Sequence, residues 1–450
     1  MRNVNRPKLP PRSVLWIVGL ALVIRLVAVA ILPANHAQAD DSYYYLVRGE
    51  HLAANTLTPQ EVITFAPLYA FLAGSATHVL GLDNAILALR VLGAILGALT
   101  CGFVWRIAQR LTGDNRIAIV AMLGLALNPI AILDNNMVTT ETLFLFLLTW
   151  AFSIYVVPQP DRPAYPRTYI ASGALFGLAT LTRVQPVLFP VGLAIHLSLV
   201  FSWRKALRAA AVLLVVYAAV VSTWTVYNLI KFNTLIIGAS GATDFLLTGA
   251  LGYNGSTNVD KQFADHNDGI VPQGDGSRAP VAAKVVEETI RNNPIGYLSH
   301  RVKELLSAIL QPHMTTYFPG ASLKSMAANW LLRDRSPGGL ARLLGDSTFW
   351  PKLAMYVAHY LALIFGAAGV LLTWREWRKF APLTGFIAYI LLLHLFLLVI
   401  PRYVYPITPL LWVFAAVAMV RLWERVRNTR ALAPVKIYNP VERDTDSVVS

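Results

Sequence analysis

A few charged side chains in this 450-residue sequence abut or interrupt long apolar stretches: the pair Asp40-Asp41, then Asp134, Glu141, Arg183 and Arg402. A carboxylate can take the proton of an attacking hydroxyl. A guanidinium stays charged and can bond two oxygens at once, which suits a departing phosphate. One acid and one or two arginines suffice for such a displacement. Tyr44, inside the run Tyr43-Tyr44-Tyr45 after the acidic pair, and Tyr403, next to Arg402, are the aromatic candidates for substrate contact. Each residue also has a plainer role. The acidic pair could be solvated or cap a helix at Ser42, and the tyrosines could anchor at a membrane interface. Glu141 could serve the helix dipole, and the two arginines could reach for lipid headgroups. The acidic pair could bind a divalent cation weakly, but no tight ligand cluster appears, so neither an obligatory metal nor another cofactor is expected.

The elements that must position these groups follow from composition. The chain is 56% hydrophobic and 14% charged, with a mean hydropathy of +0.53, above the roughly half-apolar balance of a soluble domain. A bilayer core takes about 20 mostly apolar residues per helix. Such stretches fall at 13–32, 86–107, 117–133, 139–157, 168–182, 184–202, 209–230, 353–374, 380–400 and 403–421. They predict an all-α polytopic membrane protein with about ten transmembrane helices. The first run is too long for a signal peptide and carries Arg25 at its centre, so it reads as an uncleaved span. The shorter stretch 66–80 reads as an interfacial helix. Arg25 must pair inside the bundle, since a mid-span charge costs about 2.5–3.5 kcal/mol or more; the sequence leaves its partner open. His78, His359 and His394 read as packed helix residues. Cys101, the one cysteine, is expected to be a small buried residue, and no intrachain disulfide can form.

Placing the basic N-terminus inside makes every short inside loop basic: Arg106, Arg110 and Arg116; Arg162 and Arg167; Arg204, Lys205 and Arg208; Arg375, Arg378 and Lys379; and Arg421 onward. The formal charge of +14 is thereby explained by topology, and no nucleic-acid partner is expected. The organisation expected is a cytoplasmic N-terminus (1–12), an N-terminal transmembrane module (13–230) with a first outer loop at 33–85, a large extracytoplasmic loop (231–352), C-terminal membrane helices (353–421) and a cytoplasmic tail (422–450). Glycines 238, 241, 249, 252 and 255 and an amphipathic stretch over 281–310 make the large loop a cap of helices and turns. Its Asn254-Gly255-Ser256 triplet fits a glycosylation acceptor but recurs by chance too often to weigh. With this topology Asp40, Asp41, Asp134, Glu141, Arg183 and Arg402 all fall on the extracytoplasmic side.

In order along the chain, Asp40-Asp41-Ser42-Tyr43-Tyr44-Tyr45, Pro67-Leu68-Tyr69, Arg90, Asn128-Pro129, Thr139-Thr140-Glu141, Leu181-Thr182-Arg183 and Arg402-Tyr403 with Pro406 and Pro409 form a recognisable set. The set resembles the GT-C fold glycosyltransferases that use lipid-phosphate sugars, specifically the protein mannosyltransferase and aminoarabinose transferase-like family (glycosyltransferase family 39-like). The resemblance implies a GT-C-like bundle with the interfacial helix in its first outer loop. It also implies inverting transfer of a hexose or pentose from a polyprenyl-phosphate donor to a hydroxyl of a protein, lipid or glycan, with Asp41 as general base and Asp40 its nearest competitor. Glu141, Asp134, Arg183, Arg402, Tyr44 and Tyr403 would contact substrate. One departure is Trp224-Thr225-Val226-Tyr227-Asn228, where relatives often carry Arg-Asn; if that arginine holds the donor phosphate, Arg183 and Arg402 carry more of the load here.

A transporter or flippase of a lipid-linked or small polar substrate is the alternative. It should line a path near the bilayer midplane with ionisable groups, whereas Arg25 alone lies clearly mid-span. A noncatalytic scaffold would tolerate change at Asp40, Asp41, Glu141 and Arg402 together.

Overall fold

The computed structural model describes residues 11–34, 40–58, 66–155, 166–239, 242–251 and 275–431. Among them regular structure is helical throughout. The first part holds α1 (Arg12–Ile31), α2 (Asp40–Ala53), α3 (Pro67–Leu80), α4 (Leu82–Thr112), α5 (Asn115–Ala126), α6 (Pro129–Asp134), α7 (Thr140–Tyr155), α8 (Pro166–Thr182), α9 (Phe189–Val200) and α10 (Trp203–Phe232). The middle holds α11 (Ala242–Leu251), α12 (Asp275–Asn292), α13 (Pro294–Leu310), α14 (Leu323–Arg333) and α15 (Pro337–Gly345). The chain closes with α16 (Phe349–Leu372), α17 (Trp377–Phe396), α18 (Pro401–Val404) and α19 (Thr408–Ala431).

Each of the ten apolar stretches contains a helix. Among the described residues, six helices, α1, α4, α10, α16, α17 with the turn before it, and the α18–α19 run, are long and apolar enough to cross a membrane; α5, α7 and α9 are apolar but shorter. The expected span 117–133 is broken in two. Asn128 leaves the helix and accepts from the Ile130 amide at 2.9 Å, and Pro129 opens a new helix because it has no N–H to return to the preceding turn. The amphipathic stretch 281–310 divides for the same reason at Asn293-Pro294, where Asn293 caps the Gly296 amide at 2.8 Å. The Asn254-Gly255-Ser256 triplet and the Asp40 side chain lie outside what is described.

The stretch read as interfacial is α3, and it lies against α2. At their crossing a Cβ on Gly74 would sit 1.7 Å from the Gly49 carbonyl carbon, so the two backbones touch with no side chain between them. Gly74→Val must therefore push the pair apart, and an expected loss of about 1–3 kcal/mol should appear as a lower melting temperature. An unchanged melting curve would mean that α2 is not held this way.

The two ends of the bundle carry different chemistry. Arg110 caps the last turn of α7 through Ser153 O at 2.7 Å, Arg116 pairs with Glu424 at 2.7 Å, and Arg421 donates to Leu372 O at 2.9 Å. Glu141 begins that same α7, about 20 Å away by helix rise.

Candidate active site

Glu141 stands in the first turn of α7 with 1% of its side chain exposed, and two arginines bond it. Arg402 enters from α18, whose start is fixed by Pro401 at the first helical position. Its Nε and Nη2 both donate to the Glu141 carboxylate, Nη2 to Oε2 at 3.0 Å, and its Nη1 donates to Asp41 Oδ2. Arg183 follows the last turn of α8, where Pro186 prevents further helix. Its Nη1 donates to Glu141 Oε1 and, at 3.1 Å, to Thr140 Oγ1. Four segments far apart in sequence thus bring two guanidiniums and two carboxylates into one chain of ion pairs. Charges held this far from water must be paired, and two cations against two anions leave the cluster neutral. Exposure is graded: 10% for Arg183, 22% for Arg402 and 39% for Asp41. The cluster therefore opens toward Asp41.

Asp134 is 1% exposed and belongs to the frame beside this cluster. His313 Nε2 donates to its Oδ1 at 3.2 Å, and Thr142 lies 3.4 Å from its Oδ2. The turn after Asp134 is held by two buried arginines. Arg25, whose partner the sequence left open, donates to Asn135 Oδ1 at 2.6 Å and to the carbonyls of Ala21 and Ala126 at 3.1 and 3.2 Å. Arg90 donates to Asn136 Oδ1 and to the carbonyls of Val29 and Leu32, each at 2.8 Å. The carbonyls of Ala126, Val29 and Leu32 end α5 and α1, and the negative pole of a helix supplies part of what a carboxylate would. Gly93 and Gly97 of α4 leave room for this turn: a Cβ at Gly97 would lie 1.9 Å from Asn135 Oδ1.

The aromatic candidates separate. Tyr403 stacks on His394, with ring centroids 5.4 Å apart and planes 13° apart, and Arg183 lies 5.7 Å above it, so it belongs to the cluster. Tyr44 is exposed and Arg48 covers its ring at 4.5 Å. Tyr45 is buried edge-on against Tyr69, and burial pushes its hydroxyl up to about 12, so it stays neutral at physiological pH. At the departure noted on α10, Tyr227 stacks on Trp224, and Lys231 one turn later donates to its hydroxyl at 3.2 Å and to Asn55 Oδ1 at 2.6 Å. Among the described residues no three His, Cys, Asp or Glu side chains could together hold a metal ion.

Three participants escaped the sequence reading. His313 sits in an undistinguished loop with no motif around it. Gln185 lies two residues past the recognised Thr-Arg step, where its spacing was the available signal. His394, expected to be a packed helix residue, is packed, and it also touches Tyr403 of the cluster.

Residues 64–232 match the family described as dolichyl-phosphate-mannose-protein mannosyltransferase. No curated protein matches the sequence. The solved structure of the archaeal oligosaccharyltransferase AglB from Archaeoglobus fulgidus, in complex with an inhibitory peptide and a dolichol-phosphate, superposes with a TM-score of 0.54 at 14% identity, covering 93% of this chain and 51% of that one. The apo form of the Archaeoglobus fulgidus oligosaccharyltransferase gives 0.51 at 14% identity over 93% and 51%. ArnT from Cupriavidus metallidurans bound to undecaprenyl phosphate gives 0.40 at 16% identity over 94% and 81%. The chain spans about half the length of the oligosaccharyltransferase it resembles. It is thus a membrane protein of the GT-C glycosyltransferase fold, carrying over residues 64–232 the pattern of the dolichyl-phosphate-mannose-protein mannosyltransferase family.

Proposed function

We propose that the protein transfers a sugar from a polyprenyl-phosphate donor to an acceptor hydroxyl at the extracytoplasmic face of the membrane. The observation that carries this reading is the graded exposure of the cluster. Asp41 is 39% exposed and bonded to Arg402 through one oxygen, whereas Glu141 and Asp134 are each 1% exposed. A general base must reach the hydroxyl it deprotonates, so Asp41 takes the proton. The acceptor oxygen then bonds to the anomeric carbon, the bond from that carbon to the phosphate oxygen breaks, and the polyprenyl phosphate leaves against Arg402 and Arg183. One displacement inverts the anomeric centre. Arriving phosphate gives Arg402 a third anion to bond besides Glu141 and Asp41, which loosens its hold on Asp41. Glu141 keeps both guanidiniums in place, and Tyr403 and Asp134 shape the walls around them. The match to a dolichyl-phosphate family and the dolichol-phosphate bound by the oligosaccharyltransferase of like fold support a lipid-phosphate donor. The distance of the loop cations from the acidic cluster supports an outward-facing site.

The test is reconstitution in proteoliposomes with a polyprenyl-phosphate sugar labelled in the sugar. The expected product is a glycosidic bond of inverted configuration with release of polyprenyl phosphate. Movement of the lipid-linked sugar across the vesicle wall with no new bond would decide for a flippase.

A further inference from the structure

Arg183 is oriented from two sides, and only one of them is the Glu141 cluster. Gln185 Oε1 accepts from Arg183 Nε at 3.2 Å. The Gln185 amide nitrogen faces His394 Nε2 at 2.8 Å and Tyr403 O at 3.1 Å, while the backbone carbonyl of Gln185 accepts from Tyr389 OH at 2.6 Å. His394 Nδ1 lies 2.9 Å from Leu398 O.

The proton positions along this path follow from what each atom can do. Leu398 O is a carbonyl and can only accept, so Nδ1 carries the ring hydrogen and Nε2 presents a lone pair. That lone pair takes one amide hydrogen of Gln185, and Tyr403 O takes the other. The amide oxygen is thereby forced to face Arg183. A flipped amide would set NH2 against the guanidinium and its oxygen against two acceptors. His394 is itself fixed, by its stack on Tyr403 and by Arg301, which donates to the carbonyls of His394 and Leu395 at 3.0 Å each and of Gly249 at 2.7 Å. With Nη1 taken by Glu141 and Thr140 and Nε by Gln185, the Nη2 edge of Arg183 is the one to which no described residue offers an acceptor.

We infer that Gln185 and His394 are positioning residues that preset Arg183 so that its Nη2 edge meets the phosphate of the lipid donor. The inference rests on the reading above that Arg183 binds that phosphate. Neither residue touches the ligand. They act by fixing the guanidinium before it arrives, so that binding does not have to order it.

The test is the dissociation constant for undecaprenyl phosphate, measured on the purified full-length protein in detergent, with melting curves alongside. Arg183→Gln is the reference and should weaken binding at least tenfold, roughly what one bond to a charged group is worth. Gln185→Leu should weaken binding by about tenfold, and His394→Phe, which keeps the ring stack and loses the acceptor, by about fivefold. His394→Gln, which restores an acceptor at the Nε2 position, should return to within about twofold of the parent protein. His394→Phe added to Arg183→Gln should cost nothing more, because there is no guanidinium left to hold. Parent-like binding by Gln185→Leu and His394→Phe beside a weakened Arg183→Gln would overturn the positioning role alone. Additive losses in the double variant would do the same. Parent-like binding by Arg183→Gln would overturn the phosphate reading, and the positioning role with it.

Discussion

Replacing Asp41 with asparagine is expected to lower sugar transfer by about 10²- to 10⁴-fold while leaving the protein folded. Asparagine has the same shape and still offers an oxygen to Arg402, so the chain of ion pairs is only shortened at its open end. What it cannot do is take up a proton as the acceptor hydroxyl attacks. The lost ion pair contributes little to stability, since a pair this exposed is worth about 1 kcal/mol at most. Turnover should therefore collapse with a nearly unchanged melting temperature. Transfer at the parent rate by Asp41→Asn would remove the base assignment and turn attention to Asp40.

Glu141→Leu should do the opposite, acting first on stability. Glu141 is the shared anion of Arg183 and Arg402, and removing it leaves two guanidiniums facing each other in a pocket where Arg183 is only 10% exposed. Deleting one partner of a buried pair costs about 3–5 kcal/mol because the surviving charge is uncompensated; Arg402 keeps Asp41, so Arg183 is the charge left without a counter-ion. Chemical denaturation in mild detergent should show a loss of that size together with loss of donor binding. A second variant separates the causes: Glu141→Leu combined with Arg183→Met removes the orphaned charge and should recover part of the stability without recovering transfer. If Glu141→Leu unfolds at the parent's denaturant concentration, the residue is a substrate contact and not the counter-ion of the cluster.

The bundle was legible because a bilayer imposes length: runs such as 13–32, 209–230 and 353–374 have no other use, and the helices there agree with the expectation to within a few residues. The break at Asn128-Pro129 is also written in the sequence, but apolar residues on both sides mask it. Asp41, Glu141, Arg183 and Arg402 were legible as types, being charges at the edges of apolar runs. Their pairing was not, because nothing local in sequence reports that residues 41, 141, 183 and 402 converge. The same holds for Arg25: its partners are one amide and backbone carbonyls, and a carbonyl leaves no trace in composition. His313 is the clearest case, bonded to an aspartate 179 positions away from within a plain loop.

The backbone contact between Gly49 and Gly74 has a consequence for how such a protein can diversify. Because main chain meets main chain there, the distance of Asp41 from Glu141 and Arg402 is governed by covalent geometry, two turns up α2, and not by the volumes of neighbouring side chains. The exposed Tyr43 and Tyr44 of that helix lie outside this contact, so they can change in size or polarity while Asp41 stays in register with Glu141 and Arg402.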